Sequence, residues 1–281
     1  MVDSLLGNEI IPKMKKVRIG IVGMGNMGRF HAQDLLDGKV EGGELVAVAS
    51  TSPEKLKEYG DQGLKVFGGG EEMIQSGEID AIVIATPHYQ HVSLGMQALD
   101  AGLHLMVEKP IAAHKADAER LIAKAKEKAD LVFAGMFQLR VELRYRKIKE
   151  LVEAGELGQL MRVVWIMTDW FRSDAYYQSG GWRATWKGEG GGVLLNQCLH
   201  QLDAMQGMVG MPSKVNSQVG IGKWHDIEVE DDVSCYMEFP DGASGLFLTS
   251  TGETPGSNRL EISGTKGRLL LENDRLIFTR N

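Results

Sequence analysis

Cysteine is scarce in this chain, and so are the features that mark membranes, secretion or nucleic-acid binding. The 281 residues include 2 cysteines, too few for a disulfide framework or a cysteine metal cluster. No apolar stretch approaches the roughly 20 residues of a membrane span, and the first residues lack the apolar core of a signal peptide. The net charge is −7, and no basic run is present. We therefore expect a cytoplasmic chain that binds no nucleic acid, membrane or metal.

Proline is also scarce, whereas glycine is abundant. The chain has 7 prolines and 35 glycines, and the glycines do not recur every third residue, which excludes collagen. A hydrophobic share of 43% excludes a low-complexity chain. The glycines are therefore expected at particular backbone positions. The three glycines within residues 23–28 and the six within residues 180–192 are predicted to let ligands approach the backbone.

The first half of the chain alternates buried strands with helices. Apolar runs predict strands over residues 17–22, 45–49, 79–85, 103–107 and 131–134, and intervening helices begin near 26, 53, 91 and 115. This alternation indicates an α/β fold with a doubly wound parallel sheet. We predict a leader over residues 1–15 and a first domain with this doubly wound, Rossmann-type fold over residues 16–137.

The second half has a different pattern. After the turn at residues 155–158, several segments alternate polar and apolar residues, and Pro240-Asp241-Gly242 predicts a hairpin turn. One helix is predicted within this half, from about Val193 to Met208. These features indicate an α+β domain over residues 138–281 built on an antiparallel sheet. Residues 277–281 read as the start of a strand.

A glycine motif follows the first strand and opens the first helix. Its sequence, Gly23-Met24-Gly25-Asn26-Met27-Gly28, fits the Gly-x-Gly-x-x-Gly turn that binds a dinucleotide pyrophosphate; a tight turn without a ligand is the alternative. After the second strand, Ser50-Thr51-Ser52 replaces the acid that would hold the NAD ribose, with Lys55 nearby. This favours NADP slightly over NAD. The same hydroxyls could instead cap the helix that begins at Pro53.

Polar segments lie at predicted strand ends and on the predicted helix of the second half. Thr86-Pro87-His88 and Glu108-Lys109-Pro110 end two strands, and a glycine-rich run leads to Asn196, His200 and Asp203. On a helix these three residues form one polar stripe, from which Cys198 points away; a solvated helix face is the alternative. Histidine, with an ordinary pKa of about 6.5, is expected to accept at neutral pH the proton released when a hydride leaves a carbinol carbon. A lysine ammonium can stabilise the alkoxide. The alternatives to these roles are a structural histidine and a surface lysine.

Together these motifs resemble the glucose-fructose oxidoreductase, inositol dehydrogenase and rhizopine catabolism (Gfo/Idh/MocA) family over nearly the whole chain. The resemblance implies a C-terminal α+β domain with a large open sheet, NAD(P)-dependent chemistry on a sugar or polyol, and a homodimer or homotetramer. It implies catalytic roles for Lys109 and His200 and a ribose contact for Glu108. Asn196 stands where the family often has aspartate, so it is expected to bind substrate rather than act as a base. Family members usually run further, so a missing C-terminal part is expected.

An aromatic segment over residues 169–186 is the predicted substrate loop, because aromatic faces pack on sugar rings and arginine forks hold hydroxyls or anions. The alternatives are an aromatic mini-core that braces the loop or a subunit contact. The predicted substrate contacts are Lys109, Arg172, Tyr176, Trp182, Arg183, Asn196 and His200. Beside the glycine motif, the predicted cofactor contacts are Ser50, Thr51, Thr86, Pro87, His88, His91, Glu108 and Lys109. Asp203 is expected to pair structurally rather than orient His200.

The function predicted from the sequence is NAD(P)-dependent oxidation of a secondary hydroxyl, or reduction of the ketone, on a sugar, glycoside or polyol. Two alternatives stay open. One is a glycosidase or lyase that uses tightly bound NAD in a cycle of oxidation, elimination and reduction. The other is a non-catalytic sensor of NAD(P) or sugar on the same fold.

Overall fold

A computed structural model describes residues 15–281, so the predicted leader over residues 1–15 lies almost wholly outside the described residues. The chain separates into two compact units. The first contains the described residues up to Thr86, together with Leu94–Met106 and Lys128–Phe133. The second contains Pro87–Ser93, Val107–Glu127 and Ala134–Asn281. Each is described by itself below.

Six short strands form the first sheet, in the order β3-β2-β1-β4-β5-β6. They are β1 (Val17–Val22), β2 (Gly43–Ala49), β3 (Lys65–Phe67), β4 (Ala81–Ile84), β5 (His104–Val107) and β6 (Phe133–Gly135). The pairs β1–β2, β1–β4 and β2–β3 are parallel. This order, in which the chain winds outward from β1 in both directions, confirms the predicted doubly wound Rossmann sheet.

Helices connect these strands at the predicted places. They are α1 (Asn26–Leu36), α2 (Lys57–Asp61), α3 (Gly70–Gln75), α4 (His91–Asp100) and α5 (Lys115–Glu127). Gly102 follows α4 with φ +78°, the left-handed conformation that commonly ends a helix. The strand β3 and the helix α3 are additional to the prediction. With 3 and 6 residues, they are too short for hydrophobic periodicity to reveal.

Seven strands form the second sheet, in the order β13-β12-β11-β7-β10-β9-β8. They are β7 (Leu160–Met167), β8 (Lys214–Ile221), β9 (Glu230–Glu238), β10 (Ser244–Ser250), β11 (Asn258–Gly264), β12 (Gly267–Glu272) and β13 (Arg275–Arg280). The β7–β10 pair is parallel, whereas five pairs are antiparallel: β7–β11, β8–β9, β9–β10, β11–β12 and β12–β13. The sheet confirms the predicted large, mainly antiparallel sheet. Its β9–β10 hairpin turns at Gly242, where φ is +89°.

Three helices belong to this second half: α6 (Leu143–Glu153), α7 (Asp174–Gln178) and α8 (Leu199–Val209). The prediction of a single helix was therefore wrong. Tyr145 of α6 packs on Trp165 of the sheet with ring centroids 5.7 Å apart, and Trp165 packs in turn on Phe247. The helix α6 was missed because its exposed positions are dominated by charged side chains around a narrow apolar stripe.

The helix that carries His200 begins later than predicted. Residues 193–198 form turns, and α8 begins at Leu199. Asn196 therefore does not share a helix face with His200 and Asp203, and the predicted polar stripe through all three residues was wrong. The longest helix among residues 15–281 has 13 residues, and none is long and apolar enough to cross a membrane. The predicted domain boundary between residues 137 and 138 stays a prediction.

Candidate active site

The glycine motif forms a strained, tightly packed turn after β1. Gly23 has φ +91°, and its N–H donates to the Ala49 carbonyl at 3.1 Å. A Cβ on Gly28 would lie 2.0 Å from the Gly23 carbonyl oxygen, so only glycine lets α1 approach the strand this closely. Both positions have the conformational role that the sequence predicted.

Gly25 differs from these two, because a Cβ built there meets no atom within 4 Å. The helix α1 begins after it without a side-chain cap, so the first backbone N–H groups of the helix have no side-chain acceptor. These groups fit the pyrophosphate of a dinucleotide, which needs open space and N–H donors at a helix N-terminus. Met24 packs into the core of the first unit, whereas Asn26 and Met27 are exposed.

The hydroxyl cluster after β2 does not cap the helix that follows. Ser52 precedes the 3₁₀ turn at Pro53–Leu56 but makes no side-chain capping hydrogen bond. Ser50 Oγ instead accepts from the Ser52 N–H at 3.2 Å, and Thr51 is exposed. The capping alternative therefore lacks its hydrogen bond, and Ser50 and Thr51 as cofactor contacts stay a prediction.

Lys109 and Asn196 form the centre of the second unit's polar cluster. The Lys109 ammonium donates to the Asn196 backbone carbonyl at 2.8 Å and to its side-chain Oδ1, also at 2.8 Å. Burial lowers the pKa of Lys109, an effect that Arg172 increases and that Glu108 and Glu189 oppose. The structure therefore brings together two residues that the sequence placed 87 positions apart, and it aims the lysine by two fixed acceptors.

Glu189 is a member of this cluster that the sequence analysis did not single out. Its buried carboxylate accepts from the side-chain amide of Asn196 and, at 2.6 Å, from the Ala184 N–H. Burial raises the pKa of Glu189. Because Asn196 donates to this carboxylate, its Oδ1 must face Lys109, so Glu189 fixes the amide orientation. A lone acid within a run of four glycines was the available signal.

His200 lies in the first turn of α8, buried beside Phe137 with ring centroids 6.1 Å apart. Its Nε2 lies 3.4 Å from the side-chain nitrogen of Gln138, and its Nδ1 has no hydrogen-bond partner among the described residues. Burial, assisted by the charge of Lys109, lowers the pKa of His200 to about 4. The imidazole is therefore neutral at pH 7, and the expectation of a histidine poised near its ordinary pKa was wrong for this buried position.

Asp203 pairs with an arginine rather than with the histidine one turn before it. Its carboxylate accepts two hydrogen bonds from Arg140, at 2.6 and 2.7 Å. The same guanidinium also donates to Gln206. The expected pairing of Asp203 is therefore present, and its purely structural role stays a prediction.

The glycines near the catalytic segment pack against the protein's own backbone. A Cβ on Gly192 would lie 1.9 Å from the Glu230 carbonyl oxygen, and one on Gly188 would lie 2.3 Å from the Trp182 carbonyl oxygen. The Glu230 carboxylate also accepts from the N–H groups of Gly192 and Leu194. The expectation that these glycines admit a ligand was wrong at Gly188 and Gly192, because the space beside them is filled by backbone.

The predicted substrate loop is an interleaved stack of arginines and aromatic rings. The Arg172 guanidinium lies 5.1 Å from the Trp170 ring and 4.7 Å from the Tyr176 ring. The Arg183 guanidinium lies 4.6 Å from Tyr176 and 4.8 Å from Trp182. The predicted arginines and the aromatic rings of the alternative interpretation therefore pack against each other in one loop. Contact with a substrate stays a prediction.

The remaining predicted cofactor residues lie around the strand ends. His88 is buried, its Nδ1 lies 2.8 Å from the Glu189 carbonyl, and burial lowers its pKa to about 4. His91 is fully buried with Nδ1 2.7 Å from the Pro110 carbonyl, so it supports the lysine loop. Glu108 is buried and accepts from the Lys109 N–H, whereas Thr86 and Pro87 follow β4. As cofactor contacts, these residues stay predictions. Among residues 15–281, no group of three or more metal-binding side chains is arranged to hold an ion.

Comparisons with known proteins match both halves of the chain. The family described as "Oxidoreductase family, NAD-binding Rossmann fold" matches residues 17–136, and the "GFO/IDH/MocA C-terminal domain" matches residues 145–270. Myo-inositol 2-dehydrogenase of Thermotoga maritima is 27% identical over 271 residues, which cover 92% of this chain and 76% of that protein. The scyllo-inositol 2-dehydrogenase (NAD(+)) of Bacillus subtilis is 25% identical, covering 91% and 74%.

A solved structure agrees with these matches. The WlbA dehydrogenase from Bordetella pertussis, in complex with NADH and UDP-GlcNAcA, superposes with a TM-score of 0.86 at 26% identity, covering 94% of this chain and 83% of that one. Its fold therefore extends over both units described here. The chain belongs to the Gfo/Idh/MocA family of NAD-binding oxidoreductases.

Proposed function

We propose that this protein oxidises a secondary hydroxyl, or reduces the corresponding ketone, on a sugar, glycoside or polyol, with Lys109 as the proton-transfer group and His200 as its partner in positioning substrate. The observation that carries the proposal is the pair of hydrogen bonds from Lys109 Nζ to the two oxygens of Asn196. The names of the inositol dehydrogenases that it resembles support the substrate class.

Lys109 is arranged to act as a base for oxidation and as an acid for reduction. A neutral lysine amine has two N–H groups, and Asn196 offers two oxygens at 2.8 Å to receive them. Its lone pair then remains for the proton of a substrate hydroxyl. In the protonated lysine the same position is a third N–H, which can return that proton. Burial, which lowers the pKa of Lys109, makes the neutral form more accessible.

His200 contributes as a neutral hydrogen-bonding group. With a pKa of about 4 it does not store a proton at pH 7, but its two ring nitrogens can donate and accept. Its partnerless buried Nδ1 is a polar atom whose desolvation nothing else in the described chain offsets. A substrate hydroxyl bonded to this imidazole would offset that cost and would be held for transfer to Lys109.

The cofactor would be held by the glycine turn at residues 23–28, with Ser50 and Thr51 near the ribose and a slight preference for NADP. When bound, the nicotinamide supplies the hydride acceptor or donor. Glu108 is a further proposed ribose contact. A cytoplasmic location and a homodimer or homotetramer stay predictions.

A substrate panel with two variants tests this function. The full chain is incubated with NAD or NADP and a set of sugars, glycosides and polyols, and reduced nicotinamide is followed by its absorbance. Lys109→Ala and His200→Ala should lose turnover by about 100-fold or more while still binding the cofactor. Lys115→Ala, at an exposed lysine that pairs with Glu119, is the matched control. Unchanged turnover in Lys109→Ala contradicts the proposal, and a co-purified cofactor that never exchanges favours the glycosidase alternative.

A further inference from the structure

We propose that the substrate carries a carboxylate, which accepts hydrogen bonds from the guanidinium N–H groups of Arg172 and Arg183. This inference rests on the proposed function in assigning the anion to the substrate of the Lys109 site. The observation that carries it is that the guanidinium groups of Arg172 and Arg183 both pack on the Tyr176 ring and that neither has a carboxylate partner among the described residues. Among residues 15–281, neither arginine lies within ion-pair distance of an acid.

The backbone of Arg172 is fixed by hydrogen bonds, whereas most N–H groups of its side chain have no acceptor among the described residues. Its N–H donates to the Thr251 carbonyl at 2.9 Å, and its carbonyl accepts from His225 Nε2 at 2.8 Å. Its guanidinium has only one hydrogen bond, to the neighbouring Phe171 carbonyl at 3.4 Å, and its Nε is buried with no partner in the described chain. A buried N–H of a permanently charged group is costly unless it finds an acceptor. An oxyanion provides that acceptor.

Arg183 is fixed by the same tyrosine. It donates to the Tyr176 hydroxyl at 2.8 Å, and its guanidinium also packs on Trp182. Cation–π contacts hold both guanidinium planes without consuming most of their N–H donors, which remain available for a planar acceptor. A carboxylate matches the fork geometry of arginine better than a hydroxyl does.

The charges around the catalytic lysine favour a singly charged ligand. Arg172 acts electrostatically on Lys109, and Arg183 acts on Glu189. Together with Glu108, these groups comprise Lys109, two arginines and two carboxylates, so one positive charge is in excess when Lys109 is protonated. A carboxylate neutralises that excess, whereas a doubly charged phosphate would reverse it.

Matched probe pairs test the inference by binding alone. The full chain, saturated with NADH, is titrated with D-glucuronate or D-glucose and with D-gluconate or D-sorbitol, and D-glucose 6-phosphate is added as the phosphorylated probe. Dissociation constants are measured by calorimetry, and melting temperatures give a second readout. We expect each acid to bind at least 10-fold more tightly than its neutral partner, since a hydrogen bond to a charged group contributes about 10- to 100-fold.

Arginine variants then assign the effect. In Arg172→Gln and Arg183→Gln the preference for the acid should fall about 10-fold or more, and Arg172→Lys should retain part of it. Arg146→Gln, at an exposed arginine on α6, is the matched control and should keep the full preference. Melting temperatures without ligand show whether each variant is folded. The Arg172→Lys variant keeps the test valid if the glutamine variant does not fold.

Two results overturn the inference: neutral or phosphorylated probes that bind as tightly as the acids, or an acid preference that survives in both glutamine variants. Because binding is read without turnover, failure here is separable from failure of the proposed function. Oxidation of neutral polyols with no acid preference removes the carboxylate site and keeps the dehydrogenase. Preferential binding of the acids without formation of reduced nicotinamide on the wider panel keeps the carboxylate site and removes the dehydrogenase.

Discussion

Glu189→Gln is the substitution that tests how the lysine is positioned. In the protein, the Glu189 carboxylate uses its two oxygens for two donors, Asn196 Nδ2 and the Ala184 N–H. Glutamine keeps one oxygen and presents an NH₂ group to the other donor. One hydrogen bond to a charged group is therefore lost and replaced by a contact between two donors. Such a loss costs about 1.5–3 kcal/mol, which corresponds to about 10- to 100-fold in rate if it disturbs the transition state.

The pH dependence of kcat should also change in Glu189→Gln, in a direction that the structure fixes. The negative charge of Glu189 raises the pKa of Lys109, so removing that charge lowers the lysine pKa further below its ordinary value. If Lys109 is the base, oxidation requires its neutral form, and the rate rises with pH through the lysine pKa. In Glu189→Gln the rising limb of kcat against pH should move to lower pH, while the plateau falls by about 10- to 100-fold.

The assay is the formation of reduced nicotinamide across pH at saturating substrate. Glu228→Gln is the matched control, because the exposed Glu228 also accepts from a backbone N–H, that of Trp186, but does not contact Asn196. A rising limb that stays in place or moves to higher pH in Glu189→Gln would refute the reasoning, and so would an unchanged plateau.

Three further predictions concern the scaffold around the two sites. Gly25→Ala should weaken cofactor binding, as measured by NADH titration, and leave the melting temperature nearly unchanged. Gly28→Ala should weaken cofactor binding and also lower the melting temperature, because its Cβ, unlike that of Gly25→Ala, meets backbone atoms. Gly192→Ala should cost about 3 kcal/mol or more in urea unfolding, while Gly181→Ala, which enters open space, should change stability by less than about 1 kcal/mol. Asp203→Asn should cost about 0.5–1 kcal/mol of stability by weakening a partly exposed ion pair, with turnover within about 3-fold of the parent; a large loss of turnover would mean that it orients the histidine.

The sheet architecture could be read from the sequence because each strand is a local signal. The run at residues 17–22 has the same bounds in the structure as in the prediction, and the β9–β10 hairpin follows from its turn residues. The segment at residues 193–198 could not be read in this way. The spacing of its polar and apolar residues is typical of a helix. The Gly192 and Leu194 N–H groups instead donate to Glu230, a residue distant in sequence, and the segment forms turns.

The candidate site shows the same division. Lys109 and His200 are visible as motif residues, but the Lys109–Asn196 contact joins elements far apart in sequence. The pKa of His200 depends on burial, which residue type alone does not reveal. Glu189 was missed because a single glutamate carries no pattern; only the fold shows that it turns the Asn196 amide toward the lysine.

Chemical rescue of Lys109→Ala tests the central claim most directly. If Lys109 is the proton-transfer group, the alanine variant should be inactive yet bind NADH, and added ethylamine should restore formation of reduced nicotinamide with saturation. The same amine should not restore His200→Ala, whose missing group is a hydrogen-bonding imidazole. Activity of Lys109→Ala without amine, or equal rescue of both variants, would contradict the account.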